Sequence, residues 1–195
     1  MDRTRASPRP LWPGVRPRPA LAALALLLIG TLVWAAVTAL LPGPNVSFAE
    51  LSTAPPVAAA PGTEMLATPD PDRAAVWLSR RLGREIPPVN LSLVGAVCVG
   101  AVADQSARRG SFYYRTAEGS SLALHVLLAR NPQLPALPTL HVEGAPFRVL
   151  EGSSGGPSGA VWQAEGHTYA ALGRIPLSQL LVYVREMDRH CRERR

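Results

Sequence analysis

Lysine is missing from this chain: all twenty basic side chains are arginine. Isoleucine is rare, aromatic residues make up 6%, and there are two cysteines. Alanine, proline, glycine and arginine are common, the bias of a GC-rich bacterial genome rather than a nucleic-acid signature. The net charge of +6 is also not one patch. Residues 1–19 carry +4, residues 42–69 carry −2, and the remainder carries +4 in scattered form. A nucleic-acid binder concentrates basic charge on one element and interleaves aromatics. Neither feature is present, so nucleic acid is excluded as a partner. No His-x-x-x-His or Cys-x-x-Cys spacing occurs, which leaves His125, His141, His167 and His190 as isolated side chains without metal-ligand spacing.

The chain does contain a long stretch free of charge, from Pro19 to Asn45. Within it Ala20 to Leu41 is 22 residues of almost unbroken apolar character. As a helix this run spans about 33 Å, enough for a hydrocarbon core of about 30 Å. Five arginines precede it, and the next one is Arg73. The positive-inside rule then places the N-terminus in the cytoplasm and the rest of the chain in the periplasm of a bacterial inner membrane. A cleaved signal peptide is the competing reading, with Val37-Thr38-Ala39 as its cleavage site. The run is longer than a signal h-region, so an uncleaved signal anchor is expected.

Residues 42–69 are rich in Pro, Ala, Ser and Thr and show no sustained period. They read as an extended linker, with a reach on the order of 90 Å. At Asp70 the texture changes. Asp70 suits a helix N-cap, Pro71 the first helical position and Gly83 the C-terminal stop. Ala74, Trp77, Leu78 and Leu82 fall on one face between them. Several apolar runs follow: residues 91–103, 110–116, 121–129, 147–151, 160–164 and 167–173, with an edge strand near 139–143. Gly119 and Glu165-Gly166 mark tight turns. Pro176 opens a second helix with a stripe of Leu177, Leu180, Leu181 and Val184. The expectation is an α+β domain: an N-terminal transmembrane helix, then an antiparallel sheet of about six strands with one helix before and one after it. The divisions are 1–19 (basic cytoplasmic tail), 20–41 (membrane span), 42–69 (linker), 70–187 (extracytoplasmic domain) and 188–195 (charged, solvated tail).

One stretch spells a nucleophile. Gly152-Ser153-Ser154-Gly155-Gly156-Pro157 resembles the serine loop of trypsin-like proteases and fits the G-x-S-x-G elbow. An elbow requires strand, sharp turn and helix. Here Ser154 is followed by glycines and a proline and then by another strand. The trypsin-like alternative needs an Asp just before the nucleophile, where Ser153 stands, and a distant upstream His. A glycine- and serine-rich hairpin loop is the expected role.

The remaining polar residues have structural readings. Cys98 lies in an apolar run and is expected to be a buried free thiol, with a Cys98–Cys191 bridge as the alternative. Asp70 and Asp72 are explained by helix capping, and Arg108-Arg109 by a turn. Phe112, Tyr113 and Tyr114 fit a strand covered on both faces, with a ligand platform as the alternative. No catalytic residue, cofactor or metal ligand is assigned, and no enzymatic activity is expected.

The stretch from Asp70 to Ser92, with Trp77-Leu78, Arg81-Leu82-Gly83 and Pro88, resembles the entry helix of the extracytoplasmic domain of bacterial transmembrane anti-sigma factors. The segment from Val161 to Val184 is similar to the closing unit of that domain, a Trp strand, a Gly turn, a Tyr strand and a Leu-rich helix. Many such proteins also carry a cytoplasmic His-x-x-x-Cys-x-x-Cys module that grips the sigma factor. Residues 1–19 hold no His or Cys and several prolines, so no binding residue carries over. The resemblance implies a single-pass regulator of transcription. Its expected partners are the membrane, a sigma factor or envelope protein, and a regulatory protease acting on the linker. A membrane-anchored binding or scaffold module with no role in transcription is the other reading.

Overall fold

The computed structural model describes residues 28–29, 31, 48–56, 62–128, 136–152 and 156–192. The apolar run 20–41 lies outside them except for Leu28, Ile29 and Thr31, which are helical. Among the described residues no helix is long and apolar enough to cross a membrane. The chain divides after Leu41, and the fold described here belongs to Pro42–Arg195.

Helix α1 spans Pro71–Leu82 and begins as its sequence dictates. Asp70 Oδ1 accepts hydrogen bonds from the amides of Asp72 (2.9 Å) and Arg73 (3.2 Å), satisfying two of the free N–H groups of the first turn. Gly83 ends the helix at φ 65°, a left-handed conformation that costs glycine little. The second helix, α2, spans Leu177–Arg192.

Between and around them lies one antiparallel sheet of eight strands. These are β1 (Thr63–Ala67), β2 (Ala96–Asp104), β3 (Arg109–Thr116), β4 (Ser121–Leu127), β5 (Thr139–Val142), β6 (Ala145–Leu150), β7 (Ser158–Ala164) and β8 (His167–Gly173). The order is β1-β2-β3-β4-β8-β7-β6-β5. Two four-strand meanders therefore join where β4 meets β8, with Leu124 opposite Ala171 and His125 opposite Ala170. The turns Glu143-Gly144 and Glu165-Gly166 have positive φ at both residues, the geometry that matches the strand twist.

Both helices cover one face of the sheet. Leu78 from α1 and Leu180, Val184 and Met187 from α2 share a core with Phe112, Tyr114, Leu124, Trp162 and Tyr169. Alternation along each strand sends the neighbouring residues to the opposite face. That face is also apolar: Val102, Tyr113 and Ala123 form one cluster on it, and Val161, Ala170 and Leu172 another.

The α+β class and the two flanking helices agree with expectation. The strand count does not: there are eight strands, not about six. Two boundaries also move. Residues 63–67, expected in the unstructured linker, form the edge strand β1, paired from Thr63 opposite Asp104 to Ala67 opposite Gly100. Residues 188–192, expected in a solvated tail, continue α2, and Asp188 and Cys191 are buried there. Within 91–103, residues 92–94 form a 3-10 turn, and the strand begins at Ala96.

Candidate functional site

The second face of the sheet is covered by the chain's own approach segment. Phe48–Glu50 form a 3-10 turn, and Phe48 and Leu51 pack on Val161, Ala170 and Leu172. The Phe48 ring occupies the space above Gly159, where a Cβ would lie 2.5 Å from ring atom Cε1. Glycine is needed at this point because the aromatic ring rests directly on the backbone.

Two polar contacts fasten this strap. His125, 1% exposed, places Nε2 3.0 Å from the carbonyl oxygen of Ser52. A carbonyl only accepts, so Nε2 carries the proton and Nδ1 is left as an acceptor. Ser111 Oγ lies 2.8 Å from Nδ1 and donates to it. The Arg109 guanidinium reaches the carbonyl of Glu50 at 3.3 Å and pairs with Asp104 at 3.2 Å. Burial, reinforced by the Arg109 charge and opposed by the Ser52 carbonyl, pushes the His125 imidazole down to about 3. The ring is thus neutral at neutral pH.

Serine, histidine and a backbone carbonyl in line resemble a hydrolytic triad in outline. The chemistry differs. So acidic an imidazolium marks a weak base, and Ser111 is 3% exposed beneath the strap. Both ring nitrogens of His125 are committed to structure. The arrangement is a clasp that ties residues 48–56 to the sheet.

The other singled-out residues are dispersed. Ser153, Ser154 and Gly155 lie outside the described residues. Nearby Ser158 is buried and donates to the Ile175 carbonyl at 2.8 Å. His141 is exposed on β5, and His190 on α2 lies 3.3 Å from Glu186. Cys98 and Cys191 are both free and buried, so the alternative bridge is not formed. Phe112 and Tyr114 point into the helix-covered core, while Tyr113 packs edge-on to His125 at 6.1 Å on the other face. All three are buried, so the run offers no open aromatic platform. Among the described residues no group of three or more His, Cys, Asp or Glu side chains is placed to hold a metal ion.

Sequence reasoning missed the clasp. Phe48, Leu51 and Ser52 sit in a low-complexity stretch, and their partners are far away in the chain. The available signal was burial demand: β7 and β8 are apolar on both faces, whereas one helical layer covers only one.

No protein-family model matches this chain, and neither does any curated protein or solved structure.

Proposed function

We propose that this protein is a single-pass regulatory membrane protein whose extracytoplasmic domain controls access to the segment joining it to the membrane. The reading starts from the apolar run 20–41 with arginines only ahead of it. The observation that carries it is the strap. Residues 48–56, a few residues beyond that run, are held on the sheet by Phe48 over Gly159 and by Ser52 on His125. A segment bound in this way is a poor protease substrate, and the same segment released is a good one. The state of the sheet therefore sets the exposure of the juxtamembrane chain. This is the physical requirement of a regulator of anti-sigma type that signals through regulated cleavage.

The test has two parts. A reporter fused after Met187 should be active only if that position lies outside the cytoplasm. In the same cells, envelope stress should generate a fragment cut at or before residue 56. A chain that stays intact under every stress, in both wild type and a strap-releasing Gly159→Ala variant, overturns the reading. One observation favours a membrane-anchored binding module with no role in transcription instead: a small pocket of about 180 Å³ on the helix side of the sheet, lined by Glu85, Pro87, Glu165, His167, Tyr169 and Cys191.

A further inference from the structure

The sheet ends on β5, and among the described residues no strand pairs with its outer edge. The register shows which backbone groups that edge leaves free. Val149 N–H donates to the Pro138 carbonyl at 2.9 Å, so Pro138 and Val149 form a hydrogen-bonded pair. In an antiparallel ladder such pairs alternate with non-hydrogen-bonded ones. Leu140–Phe147 and Val142–Ala145 are therefore bonded, and Thr139–Arg148 and His141–Pro146 are not. Pro146, which has no N–H, sits where none is required. Thr139 and His141 then turn their N–H and C=O groups outward, and both residues are exposed. Such a row of free groups is a template for another strand.

The side chains of the edge are sorted by face. Leu140 and Val142 lie on the helix side with their partners Phe147 and Ala145, and Thr139 and His141 lie on the other. Leu140 is 40% exposed. Val142, with Leu181 and Val182 of α2, lines a cavity of about 400 Å³ beside the edge. The strand adds an apolar row that continues the core outward.

Charge narrows the choice of occupant. A two-fold axis sets each residue near it against its own copy, so like charges there would repel. From Pro135 to Val142 there is no Asp, Glu or Arg. Glu143, in the turn, is paired with Arg185 at 3.1 Å. The opposite edge differs: β1 carries Glu64 on the helix side, tied to Arg81 at 2.9 Å, and inward-pointing charge guards an edge against pairing.

We propose that β5 pairs antiparallel with β5 of a second copy of this chain, across a two-fold axis at Leu140. Thr139 and His141 exchange N–H and C=O groups with His141 and Thr139 of the second copy, giving four hydrogen bonds. Leu140 meets its own copy as the non-hydrogen-bonded pair between them. Moving the axis to Thr139 or His141 would set the remaining residue opposite Leu137 or Glu143, outside the strand. A junction of four residues per chain falls below the roughly 1,200 Å² of stable complexes, so association is weak and reversible. The inference is independent of where the domain resides in the cell.

Disulfide trapping of the full chain in mild detergent tests it. Cα atoms of a non-hydrogen-bonded pair lie about 4.5 Å apart, within disulfide range. Under mild oxidation Leu140→Cys should form a linked dimer. The yield should exceed, by at least about tenfold, that of Thr139→Cys, off the axis, and of Val97→Cys, exposed on β2 at the far side of the sheet. Wild type, with Cys98 and Cys191 buried, should stay unlinked. His141→Pro, added to Leu140→Cys, removes an N–H that faces only the free edge. The β5–β6 hairpin keeps its bonds, and trapping should fall at least about tenfold. Slow reaction of Cys98 and Cys191 in the His141→Pro single variant reports an intact fold, and the three cysteine positions decide the register without that variant. No dimer from Leu140→Cys means that water or a different chain caps the edge and overturns the proposal. Equal trapping at Thr139→Cys or Val97→Cys marks association through another surface and does the same, as does trapping that His141→Pro leaves unchanged.

Discussion

His125 Nε2 donates to the carbonyl oxygen of Ser52 at 3.0 Å, joining residues 73 positions apart in the chain. With Ser111 on its other nitrogen, this ring is a buried polar centre on a largely apolar face. His125→Ala removes the ring, leaves the Ser111 hydroxyl and Ser52 carbonyl without it, and opens a cavity. The expected loss is about 2–4 kcal/mol in urea unfolding. A loss below about 0.5 kcal/mol would show that the clasp contributes little.

The same ring makes stability pH-dependent. Unfolded, the imidazole titrates near 6.5, whereas in the fold it is held at about 3. Between these values the unfolded chain binds a proton that the folded chain does not. Stability therefore falls as pH drops from about 6.5 towards about 3, by up to about 1.4 kcal/mol per pH unit. Ser111, Arg109, the Ser52 carbonyl and Tyr113 face the ring, and Tyr113, pushed upward by burial, stays neutral throughout. Burial pushes the Asp104 carboxyl up, but its hydrogen bonds and Arg109 outweigh this and hold it low. Its stabilising share is present above the ordinary carboxylate range and is lost as pH falls through the lowered value. Denaturant curves of His125→Gln should be flatter between pH 6.5 and 4 than those of wild type. Parallel curves count against His125 as the source.

Gly159→Ala drives a methyl group into the Phe48 ring. The ring belongs to a segment that can lift away, so the helix-covered core should survive. The expected outcome is a Tm shift under about 5 °C with cleavage within residues 48–56 faster by about tenfold in limited proteolysis. Phe48→Ala should behave likewise. Unchanged cleavage in both variants would place the strap's hold elsewhere.

Cys98 and Cys191 are buried, and burial raises both thiols. A thiol-disulfide reagent at pH 8 should react with native protein at least about a hundredfold more slowly than with a free thiol, and fully after denaturation. Rapid labelling of the native protein would mean that α2 frays at its end.

The parts of this fold written in local chemistry could be read directly. Asp70-Pro71 and Gly83 bracket α1 as capping rules require, and Gly119 and Glu165-Gly166 turn where such residues turn. What escaped is non-local. Thr63–Ala67 has no strand pattern of its own, and it is extended because the edge of β2 offers it unpaired backbone groups. The Asp188–Arg192 segment looks like a soluble tail because its charges are dense. Yet Asp188 and Arg192 pair with one another at helical spacing, and Cys191 turns inward between them. The clasp depends on two such distant relations at once, a strap with few apolar residues and a sheet face lacking a cover. Each half was visible, but their pairing was not.

The edge position of β1 has a mechanical consequence. A pull on the N-terminal side of the strap reaches Phe48 on Gly159 and Ser52 on His125 first. Only then does it load β1, beginning at Thr63 opposite Asp104 and unzipping rung by rung towards Ala67. The seven strands from β2 to β8 keep their own pairing until that edge has gone. Under tension the chain would pay out in a fixed order, lengthening in two steps while most of the sheet stays intact.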